Sequence, residues 1–426
     1  MGTTADKLAY LEDTKAAIRE AIAARGVDVP ESTPFRAYAG KIGEISGGGG
    51  GGSEPLDPEA YYQSSRPAEW LPLPEPEDDE IYFLFHVPAI FEGLLAFTAE
   101  CTGSYTVEYG TTESGAFVPD GSVTVASGTA YEGRFAGTEG HSPTQDGMTQ
   151  LVFRVSGQSL TSWTTAPHSL AGERGNWDIV DFACRMPAGT KVKMGNVDSM
   201  MALRSLRYFA WFGTNLLQDM TNMFSYCVSL QAVRELYTES VTVMYAMFYN
   251  CNSLKAIPAL NSSQVTIMDD AFAGCIAITA LPAMDFSLVE SMYYTFSNCT
   301  SLRSLPWLTT AKCTEFTSTF SYCEALRLLP PLSLAAAPDE YGFTSTFDYC
   351  VSLQRLSFTD ADAGWPGCYL NLKDTSLSHA ALVELFDSLP VISNSSRLIL
   401  TGTPGSSEIT AAEEQAVNAK GWGLMY

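Results

Sequence analysis

Four cations stand at fixed offsets from a cysteine that recurs along the chain. Lys255, Arg303 and Arg327 lie four residues after Cys251, Cys299 and Cys323, and Arg355 lies five after Cys350. On a chain of formal net charge −24, such a column could bind acidic surface glycans or teichoic-type polymers. It could equally be the charge that a solvated face needs. Aromatic residues form a second candidate set. Trp307 stands where neighbouring units carry Ala259, Ala283 and Pro331, while Tyr245, Tyr249, Tyr293 and Tyr294 fall between recurring Met and Cys positions. Exposed rings stack on sugars and anchor interfaces. The alternative is that these rings cover the outer rim of a core.

Catalytic chemistry has less to work with. The adjacent pairs Asp269–Asp270 and Asp339–Glu340 are carboxylates, but glycoside hydrolysis needs two of them about 5–9.5 Å apart across a cleft. Neighbours in sequence that point different ways do not supply that. No GxSxG, HExxH, phosphate-loop or dinucleotide-binding glycine motif occurs, so the chain is read as a non-enzyme with no cofactor. His86, His141, His168 and His379 are scattered and no CxxC pair exists, so no metal site is expected.

The element that must position the candidates is a repeat. Cys227, Cys251, Cys275, Cys299, Cys323 and Cys350 recur every 24 residues, with a last step of 27. Three residues before each stands Phe224, Phe248, Phe272, Phe296, Phe320 or Phe347. Seven before stands Met220, Met244, Met268, Met292, Phe316 or Phe343, and three after stands Leu230, Leu254, Ile278, Leu302, Leu326 or Leu353. Offsets of −7, −3 and 0 are helical spacings, which predicts one short helical turn per unit with these side chains on one face. The stretch after the cysteine is short and in four units ends at proline, which predicts a brief strand. One unit buries too few side chains to offset the entropy of ordering it. Units must therefore stack, at the strand spacing of about 4.8 Å, with Phe, Cys and Leu in interior columns. Cysteines in register are not a disulfide framework; reduced, buried thiols acting as small hydrophobes are expected.

The bulk numbers agree with a multidomain chain. Its 426 residues are 46% apolar and 17% charged, enough for sizeable cores and too few charges for disorder. The acidic balance argues against nucleic acid as a partner. No run of 18 apolar residues exists, so no membrane insertion is expected. The N-terminus has no apolar core or cleavage site, so synthesis and folding in a cytosol are expected.

Five segments follow. Residues 1–46 read as N-terminal helices for attachment or oligomerisation, with Leu8, Leu11, Ile18 and Ile22 near one face. Residues 47–80 read as a linker, first six glycines and then an extended, solvated, acidic and proline-rich stretch. Residues 81–189 alternate in short runs such as "IYFLFHV" and "TQLVFRVSG", the spacing of an all-β sandwich. Residues 190–357 hold the repeat solenoid. Residues 358–426 read as strand, helix, strand, helix, strand, an α/β cap for the solenoid's open end.

Three resemblances accompany this reading. The phrase seen in "MFYNCNSLKAIP" resembles the BspA-like leucine-rich repeats over about residues 190–357. "SYTVEYG" is similar to the "YTVDWGDG" strand of PKD-type immunoglobulin-like domains, with Glu108, Tyr109 and Thr111 departing from that pattern. The order of parts, the "TADKLAYLEDTKAAI" start and the "AKGW" ending resemble tail-fibre and tail-tip proteins of gut bacteriophages. That resemblance implies a virion tail component made in the host cytoplasm. It would be fixed through its N-terminus to other tail or baseplate proteins, trimeric as fibres are, and would recognise a bacterial host surface receptor, glycan or protein. A bacterial cell-surface leucine-rich-repeat adhesin is the alternative, and a glycan depolymerase spike is a third.

Overall fold

The computed structural model describes residues 54–88, 92–165, 178–187, 191–193, 203–213, 217–305, 308–336, 342–360, 369–392 and 396–426. The expected N-terminal helices with Leu8, Leu11, Ile18 and Ile22, the glycine run, Trp307 and the pair Asp339–Glu340 lie outside these residues.

Two β-sheets come first. One has the strand order β11-β10-β8-β1-β6-β3-β4 and the other β5-β2-β7-β9. The strands are β1 (Glu80–Pro88), β2 (Gly93–Glu100), β3 (Ser104–Glu113), β4 (Ala116–Ala126), β5 (Ala130–Phe135), β6 (Met148–Gly157), β7 (Ser162–Thr165), β8 (Ile179–Arg185), β9 (Lys191–Lys193), β10 (Tyr208–Phe212) and β11 (Ala232–Val233). Alternation in β1 sends Ile81, Phe83, Phe85 and Val87 into the core shared by the two sheets. There Phe83 meets Phe97 of β2 at 6.0 Å, and Phe97 stacks on Trp163 of β7 at 5.5 Å.

The other face of β1 carries Tyr82 and Leu84, which are also buried. Their cover is residues 57–73. This segment was expected to run extended and solvated, but it forms helix α1 (Pro58–Ser65) and a strap across the sheet. Asp57 caps α1 by accepting from the Ala60 N–H at 2.7 Å, and Pro58 opens it. Tyr62, Trp70 and Leu71 are buried against Tyr82, Leu84, Val152 and Val180. The Arg66 Nε donates to Asp181 Oδ2 at 2.8 Å, and its two terminal nitrogens donate to the carbonyls of Trp70 and Leu71. A few apolar rings and chains among many acids and prolines leave the mean composition hydrophilic. A sheet apolar on both faces nevertheless needs a lid.

Strands β8 and β10 pair in parallel, as do β10 and β11, and Ala232 bridges onward to Ala256. The hydrogen-bonded ladder thus passes from the first sheet into the repeat without a break. The repeat is a β-solenoid of about eight turns. Interior rings stack from coil to coil, Phe224 on Phe248 at 5.2 Å, Phe248 on Phe272 at 5.5 Å and Phe272 on Phe296 at 5.7 Å.

The expected helical turn is replaced. Between the Met and Cys positions the chain makes successive tight turns: the Met223 N–H donates to Met220 O, Ser225 to Asn222 and Cys227 to Phe224. Alternate N–H groups instead reach the next coil, with Met220, Asn222, Phe224 and Tyr226 donating to the carbonyls of Val243, Tyr245, Met247 and Tyr249 at 2.7–3.0 Å. A four-residue turn repeat puts Met and Phe on one side just as a helix does, so spacing alone does not separate the two. The turns need left-handed residues, supplied at Asn222, Tyr226, Ala246, Asn250, Asp270 and their successors. Four inter-coil bonds per junction hold those conformations.

The cysteines are free and in register. They do more than fill space: the Cys251, Cys275, Cys299 and Cys323 thiols each donate to the carbonyl of Phe224, Phe248, Phe272 or Phe296 in the preceding coil, at 3.0–3.2 Å. Thr295 and Thr319 do the same one turn earlier, to Met268 and Met292.

Beyond β12 (Leu332–Ser333) and β13 (Phe358–Thr359), the chain runs through β14 (Tyr369–Asn371), α2 (His379–Ser388), β15 (Ser396–Ile399), α3 (Ala411–Ala419) and β16 (Trp422–Met425). The last three strands form a parallel sheet in the order β14-β15-β16. Ser378 caps α2, and Thr410 with Glu413 forms a capping box on α3. Asn371 donates to Asp348 and Ser376 to Val351 O, tying this part to the last coil. One apolar core runs from Ile81 to Trp422.

Candidate functional site

The positions six, five, two and one before each cysteine line the surface on the turn side of the coils. In the middle coils they enclose an open groove of about 370 Å³. Its walls are Tyr249, Asp270, Tyr293 and Tyr294, and Asn250, Ala273, Gly274, Ser297 and Asn298 complete the lining. Tyr293 is 41% exposed and meets Tyr294 edge-on at 4.5 Å. The Tyr249 ring meets Tyr226 edge-on at 5.3 Å. Three of the aromatic candidates therefore converge. Tyr245, 40% exposed, shares a column with Tyr293 but does not line the groove.

Asp269 and Asp270 part company here. Asp269 accepts from the Ser291 hydroxyl and the Tyr293 N–H, so it braces the next coil. Asp270 faces the groove. Burial and the neighbouring Asp269 charge raise its carboxyl to about 6, and no donor among the described residues is hydrogen-bonded to it. Gly274 makes the floor possible. It has φ +77, and a Cβ there would sit 2.3 Å from Asn250 Oδ1, so only glycine lets that amide lie across the coil.

The cationic column lies elsewhere. Lys255 lines a separate groove with Gln231, Asn252, Ser253, Ile276 and Thr300. Its ammonium stands 5.7 Å over the Tyr61 ring of α1, and the Tyr61 hydroxyl donates to Gln231 at 3.2 Å. Arg303 and Arg327 are exposed and successive in one backbone ladder, with the Arg327 N–H donating to Arg303 O at 3.0 Å. Arg355 is occupied, because its Nε donates to Glu384 of α2 at 2.9 Å.

Asn250, Gly274 and Asn298 were not singled out from sequence. They occupy the position just before the cysteine, where other coils carry Tyr226, Tyr322 and Tyr349. Tyr322 and Tyr349 stack at 4.3 Å and are 44% and 57% exposed. An Asn–Gly–Asn run at one register position is a left-handed signature that the alignment of coils contains.

Of the histidines, His86 lies beneath Trp70 at 5.0 Å, where burial lowers it to about 4. His141 pairs with Asp120, and His379 with Glu413. Among the described residues no three His, Cys, Asp or Glu side chains gather as metal ligands, and no helix is long and apolar enough to cross a membrane.

The family described as "Mycoplasma protein of unknown function, DUF285" has a model that matches residues 218–328. The match falls on the coils that form the groove, and it agrees with a repeat protein. No curated protein matches the chain.

Proposed function

We propose that the chain is a non-enzymatic receptor-binding protein of a phage tail fibre or tail tip, whose solenoid meets the bacterial host surface. On this reading the coils are BspA-like leucine-rich repeats and the two facing sheets are an immunoglobulin- or PKD-like spacer. The N-terminal residues around Leu8, Leu11, Ile18 and Ile22 join sister chains, as a trimer, or other tail proteins. The observation that carries it is the groove between the exposed Tyr293 and the half-buried Tyr249 and Tyr294: accessible tyrosines and amides held by a repeating scaffold are a binding surface. The unbroken ladder from sheet to coils supports it too, because an attachment protein must present its contact surface rigidly.

The test uses fluorescently labelled full-length protein on a panel of gut bacteria, alongside adsorption of particles with and without it. Saturable binding to a host strain, together with loss of adsorption in particles lacking the chain, is expected. Normal adsorption without the protein sinks the reading. The matched family takes its name from a bacterium, which favours one alternative, a bacterial surface adhesin with the same coils. Finding the coding region away from tail-assembly genes would select it.

A further inference from the structure

We propose that the groove is a subsite for an uncharged linear oligosaccharide of two or three pyranose units. The inference rests on the reading that the solenoid contacts the target, and it adds the chemical class of what is bound.

Length is the first argument. In the column just before the cysteine, Tyr226 stands on one side and Tyr322 and Tyr349 on the other. Between them Asn250, Gly274 and Asn298 form a trough three coils long, or about 14 Å at the strand spacing. A pyranose ring advances a glycan by nearly the same distance as one coil, so the trough accepts two or three rings.

Chemistry is the second. Rings at Tyr249, Tyr293 and Tyr294 offer apolar faces and hydroxyls, while Asn250 and Asn298 offer both donors and acceptors. A sugar ring has the same mixture, with C–H faces and a rim of hydroxyls. A protein partner would need an apolar pocket for an anchoring side chain, and here the floor is amide, glycine and small residues.

Charge is the third. Asp270 is half-buried beside the Asp269 charge, which makes its ionised form costly, and donors from a ligand seated in the groove would stabilise it. Sugar hydroxyls supply donors without adding charge. An anionic polymer would instead meet the Asp270 carboxyl, with no cation in the groove lining and Lys255 in a separate groove. Discrimination therefore comes from repulsion as well as from fit.

The experiment is calorimetric titration of the full-length protein with maltotriose, cellotriose and N,N′,N″-triacetylchitotriose as uncharged probes and trigalacturonate as the anionic one. At least one uncharged trisaccharide is expected to bind with a Kd of about 1 mM or tighter, and trigalacturonate at least about tenfold more weakly. Tyr293→Ala and the near-isosteric Asp270→Asn should each weaken binding about tenfold. Tyr369→Ala, at a 63% exposed ring on β14, should leave it unchanged. Circular dichroism establishes that each variant is folded. Absence of binding by all three uncharged probes overturns the proposal. So does equal binding of trigalacturonate, or unchanged affinity in both groove variants. Cell attachment that persists while no trisaccharide binds would overturn this inference and leave the attachment reading standing; trisaccharide binding by a protein that attaches to no cells would do the reverse.

Discussion

The interior phenylalanine column makes a quantitative demand on the central coil. Phe272 is 1% exposed and stacked on both sides, on Phe248 at 5.5 Å and on Phe296 at 5.7 Å. Phe272→Ala removes the ring and leaves a void whose lining is other coils, which can close only by breaking their ladder bonds. Such truncations cost about 3–5 kcal/mol. Two aromatic pairs worth about 0.5–1.5 kcal/mol each place this one in the upper half of that range. Phe347 is the internal control, since its stacking contact with another column ring is with Phe320 alone, at 5.7 Å. Phe347→Ala should therefore cost less than Phe272→Ala by about one aromatic pair. Guanidinium unfolding followed by circular dichroism gives the two losses. Hydrogen exchange read by mass spectrometry locates them, with the amides of Phe248, Phe272 and Phe296 expected to lose protection together, because a solenoid couples nearest neighbours. If Phe272→Ala costs less than about 0.5 kcal/mol, the range of an ordinary surface change, or if protection falls only in a distant segment, the stacked-column account is wrong.

Three further outcomes rest on the same structure. The Asp270 carboxyl is raised to about 6 from an ordinary 3.8, so its ionisation in the fold costs stability above about pH 6 and costs nothing below about pH 4, where it is neutral folded or unfolded. Asp270→Asn should melt higher than the parent at pH 8 by about 1 kcal/mol, discounted for partial exposure, with the gap closing towards pH 4; a gap that widens in acid contradicts the burial argument. Arg66→Ala removes the cation from the Asp181 carboxylate, whose side chain is 2% exposed and would keep the Tyr62 hydroxyl as a donor, and should cost about 3 kcal/mol. Hydrogen exchange over residues 58–71 should rise in that variant, and an unchanged strap would mean the ion pair does not hold it. Cys101 is the one described cysteine that is not buried, so it should react with a thiol reagent in the native protein before the other eight described thiols. Rapid native labelling of Cys275 would break the interior-column assignment.

How much of this was legible follows from where each contact lies in the chain. Registering the cysteines was enough to identify the buried columns, since each coil repeats the same types at the same offsets and equal residues must stack. The same register gave free thiols, but not their donation to the preceding phenylalanine carbonyls, which depends on how far one coil is set from the next. The strap over β1 was missed although "IYFLFHV" carries apolar side chains on both faces of its strand. The demand for a cover was readable, but its supplier lay in a segment whose average composition is acidic. Tyr249, Tyr293 and Tyr294 were picked as exposed rings, while Asn250, Gly274 and Asn298 were not, because their part is set by neighbours in adjacent coils.

By itself, then, the sequence determined that this chain stacks coils, what fills them, and where strands and helices alternate in residues 369–426. Those properties depend on the types and spacing of residues, and spacing is written in the chain. Tertiary structure alone decided that each coil turns by tight turns with left-handed residues, since a period of four fits both turn and helix until the N–H groups find partners. It also decided that Asp270 and three tyrosines share one groove while Lys255 lines a separate one. Which outward side chains meet depends on hydrogen bonds between coils 24 residues apart, and no local pattern records those.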